Sequence, residues 1–184
     1  MHNPNNLPPE PRYMIDALRS FGYSPENSIA DLIDNSIFAK AKNVNIKFWE
    51  GGSIDKTYVS IMDDGIGLNL DELLSKAMKW GSSDQPRNED DLGRFGFGLK
   101  SASLAQCKLL TVISKGSKGE INLRKWDVDY LKEINEWNVT DERTPDLEKH
   151  IDELKGQNTG TIILGQKLDK MIESEITDHR FLHR

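Results

Sequence analysis

Asp31 and Asn35 stand four residues apart, Asp63 opens the run Asp-Asp-Gly-Ile-Gly67, and Gly93-Arg-Phe-Gly-Phe-Gly98 leads into Lys100 and Ser101. Each set suggests a chemistry. Glycines at 93, 96 and 98 let the backbone take up positive φ and approach a phosphate closely, and a helix starting at Gly98 would offer it unpaired amides. Lys100 and Ser101, in that helix's first turn, add a cation and a hydroxyl donor. The spacing matches neither the P-loop nor the dinucleotide fingerprint. A carboxylate at a strand's exit, the place expected for Asp63, can accept a hydrogen bond from the exocyclic amine of adenine, where guanine presents a carbonyl oxygen. Gly65 and Gly67 leave room for the ring to approach the backbone. On a helix, Asn27, Asp31 and Asn35 lie one above another, on a face able to hold a hydrated cation and a water. Read singly, each set has a plainer alternative: a glycine loop, an acidic turn whose carboxylates accept backbone amides, or a helix with a solvated side. Three such sets in this order narrow the choice.

The elements that must position these groups are marked by periodicity and punctuation. Ser24 as N-cap and Pro25 at the first helical position predict a principal helix over residues 24–40, with Ile29, Ile33 and Ile37 as its apolar stripe. Before it, residues 13–21 carry Met14, Ile15, Leu18 and Phe21 at helical spacing, and residues 1–12, with four of the seven prolines, read as an extended arm. After it, Val44, Ile46 and Phe48 alternate with polar residues as a half-buried strand, and residues 58–62 form its hairpin partner, which delivers Asp63. A second helix is expected over residues 70–80, with Leu73, Leu74, Ala77 and Met78 inward. Residues 81–92 are polar and aperiodic, and residues 98–106 read as a third helix. Strands follow at 109–114, 120–128 and 159–164, with a short helix at 145–154 facing Leu147, Ile151 and Leu154 inward and a helical tail at 169–184. Hairpins on tight glycine turns exclude a purely parallel sheet, so the fold class is α+β, a two-layer sandwich.

Length and composition set the outer bounds. The 184 residues, 36% hydrophobic and 29% charged, suit one globular domain. No apolar run approaches the roughly 20 residues of a membrane span, and the N-terminus lacks a basic segment followed by an apolar one, so a cytoplasmic protein is expected. Cys107 is the single cysteine, which excludes an intrachain disulfide, and the four histidines show no zinc-ligand spacing. A formal charge of -6 argues against a surface-wide receptor for nucleic acid. Trp49, Trp80, Trp126 and Trp137 are assigned to structure rather than to base stacking.

In combination, the helix with Asp31 and Asn35, the Asp63 motif and the glycine run resemble the GHKL superfamily of ATPases (DNA gyrase, the ninety-kilodalton heat-shock chaperone, histidine kinases and MutL). Within it the chain resembles the microrchidia-like branch and its bacterial relatives, over about residues 13–168. The resemblance implies a Bergerat-type fold: a mixed, mainly antiparallel sheet with helices on one face, and a nucleotide between the helices and a lid at about 81–97. It makes Asp63 the adenine-reading aspartate, joined through water by Thr161, and Asn35 the ligand of magnesium, so that ATP and Mg are the expected cofactors. Asp31 takes the place of the usual general-base glutamate. Being one methylene shorter, it stands about 1 Å from the productive position, a displacement that can cost roughly a hundredfold in rate. Asp34 points about 100° round the helix and is the poorer candidate. The family further implies an arm that reaches across a homodimer partner, and a following domain that supplies a lysine or arginine to the terminal phosphate. The chain is therefore expected to be part of a longer protein.

Two functions are consistent with these residues. The first is a magnesium-dependent ATP-binding domain with slow hydrolysis, Asp31 as base, and lid closure and dimerisation driven by nucleotide. The second is a nucleotide-gated protein-interaction module that binds ATP or ADP without turnover, with Asp31 serving only in the water network. A histidine-kinase catalytic domain is disfavoured, because no phosphoacceptor helix is present and those enzymes usually carry Asn at the position of Asp31.

Overall fold

The computed structural model describes residues 9–20, 22–80 and 98–171. The expectations for residues 1–8, for the lid at 81–97 with Gly93 and Gly96, and for the tail at 172–184 lie outside the described residues. Five strands form one sheet: β1 (Val44–Trp49), β2 (Tyr58–Asp63), β3 (Leu109–Lys115), β4 (Ile121–Asp127) and β5 (Gly160–Gln166), in the order β1-β2-β5-β3-β4. All four pairings are antiparallel, so the expected mixed, mainly antiparallel sheet shows no parallel pair among the described residues. The last strand in sequence is thus the middle one in space. Its run Gly-Thr-Ile-Ile-Leu-Gly is buried throughout, as a strand covered on both faces must be.

The helices are α1 (Pro11–Ser20), α2 (Pro25–Phe38), α3 (Leu70–Glu72), α4 (Gly98–Gln106), α5 (Val128–Ile134) and α6 (Glu148–Lys155). On one face of the sheet, Ile15 of α1, Leu32 of α2 and Ala102 and Leu104 of α4 pack with Val59, Ile61, Val112 and Ile163 into the larger core. The opposite face carries a second core, in which Leu147, Ile151 and Leu154 cover Ile113, Leu123, Ile162 and Leu164. Helices therefore flank both faces rather than one, because β3 and β5 present apolar side chains alternately to each side. Burial of each such Leu or Ile contributes about 1.5–3 kcal/mol.

Several local expectations are corrected. α1 starts at Pro11, two residues before the expected start, so Pro11 and Arg12 belong to this helix and not to the expected arm. Ser24 caps α2 as expected, its side chain accepting from the Asn27 amide. Its inward stripe, however, is Ser28, Leu32 and Ser36, and Ile37 is 61% exposed. The two small serines let the helix approach the protein closely, and both are hydrogen-bonded there. α3 opens on a capping box between Asn69 and Glu72 but continues as a π-helix over Leu73–Met78. In this wider coil Leu73, Ala77 and Met78 are buried and Leu74 is turned outward. β1 is exposed along its whole length, since it is an edge strand that pairs only with β2. The short helix α5, capped by the Asp127 side chain, was not anticipated.

Arg19, near the end of α1, ties three segments together. Its guanidinium donates to the carbonyls of Leu104 and Cys107 at 2.6 Å each, and it pairs with Asp169 beyond β5 at 2.5 Å. These are the last turn of α4 and the residue after it, so one side chain satisfies carbonyls that a helix end leaves unpaired.

Candidate nucleotide site

The sheet register builds a polar row across the end of three strands. Asp63 closes β2 and lies opposite Thr161 of β5, which in turn lies opposite Ser114 of β3. Thr161 and Ser114 share a hydrogen bond of 2.8 Å between their hydroxyls, and the Ser114 hydroxyl also accepts the Leu68 amide at 2.8 Å. Asp63 is 4% exposed. One of its oxygens accepts the Gly65 amide at 2.9 Å and the other the Ser36 hydroxyl at 3.2 Å. Burial pushes its pKa up, against the pull of the Gly65 amide, the Ser36 hydroxyl and the Thr161 amide, all of which favour the ionised form. A carboxylate has about four lone-pair sites, so these three donors leave capacity for a ligand donor.

The neighbouring Asp64 does a different job. Its carboxylate accepts the Lys42 and Asn43 amides and the Asn43 side chain, which holds the turn into β1 and keeps the Asp64 pKa below the usual carboxylate range. Gly65 and Gly67 are also explained by the chain's own packing. A Cβ on Gly65 would lie 2.7 Å from the Ala39 carbonyl oxygen, and one on Gly67, whose φ is +62°, would lie 2.0 Å from that of Lys115.

α2 brings its polar face to this row. Ser36, bonded to Asp63, is the residue after Asn35, so the turn of helix carrying Asn35 is fixed beside the end of β2. The Asn35 amide nitrogen donates to the Asp31 carbonyl at 2.9 Å, and the amide oxygen is the group's acceptor. The Asp31 carboxylate accepts the Tyr23 phenol, and this carboxylate raises the Tyr23 pKa to about 12. α4 packs on α2, and the Gln106 side chain donates to Ser28 at 3.1 Å and to the Tyr23 carbonyl. Tyr23, Ser36, Ser114 and Gln106 therefore support the site, although none stood out in the sequence. The one readable hint was the four-residue spacing of Ser28, Leu32 and Ser36.

At the start of α4, a Cβ on Gly98 would meet nothing within 4 Å among the described residues. Ser101 donates to the Gly98 carbonyl at 3.3 Å. Lys100 departs from its expected place beside a phosphate. It is 1% exposed, and its ammonium donates to the Ala77 carbonyl at 2.9 Å and lies 5.5 Å from the centroid of the Trp80 ring. Burial lowers its pKa to about 8. Gly93 and Gly96 lie outside the described residues.

A family model described as histidine kinase-, DNA gyrase B-, and HSP90-like ATPase matches residues 23–161. The chain belongs to this family. Its GHKL match runs from Tyr23, the partner of Asp31, to Thr161 in the polar row, so it takes in most of the geometry above. Relatives of this GHKL domain include the DNA mismatch repair protein MutL of Clostridium acetobutylicum, 29% identical over 116 residues, covering 59% of this chain and 18% of the relative. MutL of Dictyoglomus turgidum is 29% identical over 61% of this chain and 20% of its own length, and MutL of Buchnera aphidicola 31% over 53% and 17%. The chain thus spans about a fifth of the curated relatives it matches. Neither they nor the family model singles out the microrchidia-like branch. As a GHKL domain the chain is of the ATP-binding, ATPase type. No helix among the described residues is long and apolar enough to cross a membrane.

Proposed function

We propose that this GHKL domain binds magnesium-ATP against the Asp63 row and α2 and hydrolyses it slowly. The observation that carries the reading is the Ser36–Asp63 hydrogen bond, which joins the buried base-reading acid to the helix turn that bears Asn35. Adenine recognition falls to Asp63, which offers only acceptors when ionised, with Thr161 contributing through a water. Asn35 fits magnesium, since its amide nitrogen is occupied and its oxygen is a hard ligand, and magnesium keeps several waters and takes the rest of its shell from phosphate oxygens. Bound there, the ion would neutralise charge on the terminal phosphates. Gly93, Gly96 and Gly98, with Ser101, line the polyphosphate at the start of α4, and Lys100 reaches it only by leaving Ala77. Asp31 orients and deprotonates the attacking water. Closure of residues 81–97 over the nucleotide, an ATP-dependent homodimer and a cytoplasmic setting complete the proposal, together with a terminal-phosphate cation from chain beyond this domain.

One observation favours a binding module without turnover. Asp31 is short for a GHKL base and already accepts a phenol, which draws off electron density it would offer a water. Phosphate release by wild type, Asp31→Ala and Asp31→Glu separates the two readings, with turnover lost in the first variant and raised in the second if Asp31 is the base. Equal background in all three, with calorimetry still reporting ATP binding, selects the module. For the site itself, Asp63→Asn is expected to lose the preference for ATP over GTP. Undiminished preference would remove Asp63 from base recognition.

A further inference from the structure

Three tryptophans form a cleft that the nucleotide site does not use. Trp80, Trp126 and Trp137 meet edge to face, with ring centroids 5.3–5.7 Å apart. With Leu74, Met78 and Val139 they line an open cleft of about 320 Å³. Trp126 is 3% exposed, and its indole nitrogen has no hydrogen-bond partner among the described residues. Burying such a donor unpaired is costly.

The chain entering α1 already touches the rim of this cleft. The Trp137 indole donates to the Pro9 carbonyl at 2.9 Å. Beside it, Asn135 donates to the Glu10 carboxylate at 3.2 Å and accepts the Arg12 amide at 3.4 Å, and Arg12 donates to the Lys132 carbonyl at 3.2 Å. Pro9 is therefore held at the cleft's edge. Residues 1–8, Met-His-Asn-Pro-Asn-Asn-Leu-Pro, contain no acidic side chain, no lysine and no arginine. A polyproline II strand has unpaired carbonyls, is stiff before it binds, and docks on aromatic grooves whose tryptophans donate to those carbonyls. At about 3.1 Å per residue, eight residues reach about 25 Å, and positions three apart share an edge. Pro4 and Leu7 would face the same wall.

We propose that the tryptophan cleft is the docking groove for the chain's own N-terminal residues 1–8, held as a polyproline II strand that continues the Trp137–Pro9 contact within one molecule. Its occupant is a short, uncharged, proline-bearing peptide. The assignment of the groove does not rest on the proposed ATP binding, and its test reads the tryptophans without nucleotide.

The test uses the full chain carrying Trp49→Phe, because Trp49 is 58% exposed and would obscure the cluster. Deleting residues 1–8 should raise the acrylamide quenching constant of the remaining tryptophans at least about twofold, with unchanged circular dichroism. A synthetic peptide of residues 1–8 should restore protection to the shortened chain. A nitroxide on Asn3→Cys should quench the cluster in dilute protein, and Trp137→Phe, which keeps a ring but removes the donor, should weaken that effect. Labelling is selective, since Cys107 is 1% exposed and burial pushes its thiol up to about 12. Unchanged acrylamide quenching on deletion would overturn the proposal. So would nitroxide quenching that appears only as protein concentration and particle mass rise, because the arm would then lie on a second copy.

Discussion

Gly98 differs from the glycines of the Asp63 motif in what its missing side chain avoids. Gly67 is demanded by backbone conformation and by the Lys115 carbonyl, whereas a Cβ on Gly98 would touch nothing among the described residues. Gly98→Ala should therefore keep or raise stability, by up to about 1 kcal/mol, as alanine replaces glycine in a helix. If the start of α4 receives a polyphosphate, the same variant should lose at least about tenfold in ATP affinity, because a methyl group keeps the phosphate from the amides. Calorimetry beside a urea melt reads both quantities, and unchanged affinity would remove Gly98 from the site. Asp63 and Asn35 can be proposed from the sequence because residue type and spacing alone suggest their chemistry. Ser36, Ser114 and Tyr23 were not, since a serine or tyrosine acquires its partner only when distant segments meet.

Elements were legible where one periodicity acted alone. α4 falls on its expected residues, and Leu147, in the 3-10 turn before α6, faces inward with Ile151 and Leu154 of α6 as their spacing requires. α2 was misread by one position round its axis because isoleucine outranks serine in any hydropathy pattern, while the actual contacts of Ser28 and Ser36 are polar. α6 also carries a titratable group against the sheet. His150 is 2% exposed, packs edge-on to Tyr58, and is held below its ordinary pKa of 6.5 chiefly by burial and then by the Lys149 charge. Glu153 and Asp146 pull the other way, and Lys47 adds to the lowering. A histidine that resists protonation when folded contributes stability above its unfolded pKa and loses it as pH falls through the folded value. Acidification from about pH 7.5 to 5.5 should thus lower the urea midpoint of the wild type more than that of His150→Phe, which keeps the ring contact but cannot titrate. Parallel slopes for the two proteins would show that His150 takes up its proton equally in the folded and unfolded states. The Asp63 carboxyl, with its raised pKa, acts in the opposite sense and stabilises the fold on acidification.

At the scale of the whole molecule, the sheet order could not be read from the sequence. Nothing local says that β5 inserts between β2 and β3, yet this insertion sets Thr161 beside both Asp63 and Ser114. Family resemblance supplied what periodicity could not, and the match over residues 23–161 supports it. Integrity of the assembly depends on the half-buried pair of Arg19 and Asp169. Arg19→Leu should cost about 3–5 kcal/mol by leaving the acid uncompensated and two carbonyls unpaired, and Arg19→Leu with Asp169→Leu should recover part of that loss. Chemical denaturation of the four proteins measures the coupling, and additive losses would show that the pair is not a unit.

Because Arg19 of α1 holds both the last turn of α4 and Asp169 beyond β5, three segments are fastened together at the end of α4 away from Gly98. A load applied at Asp169 would be felt first at α1.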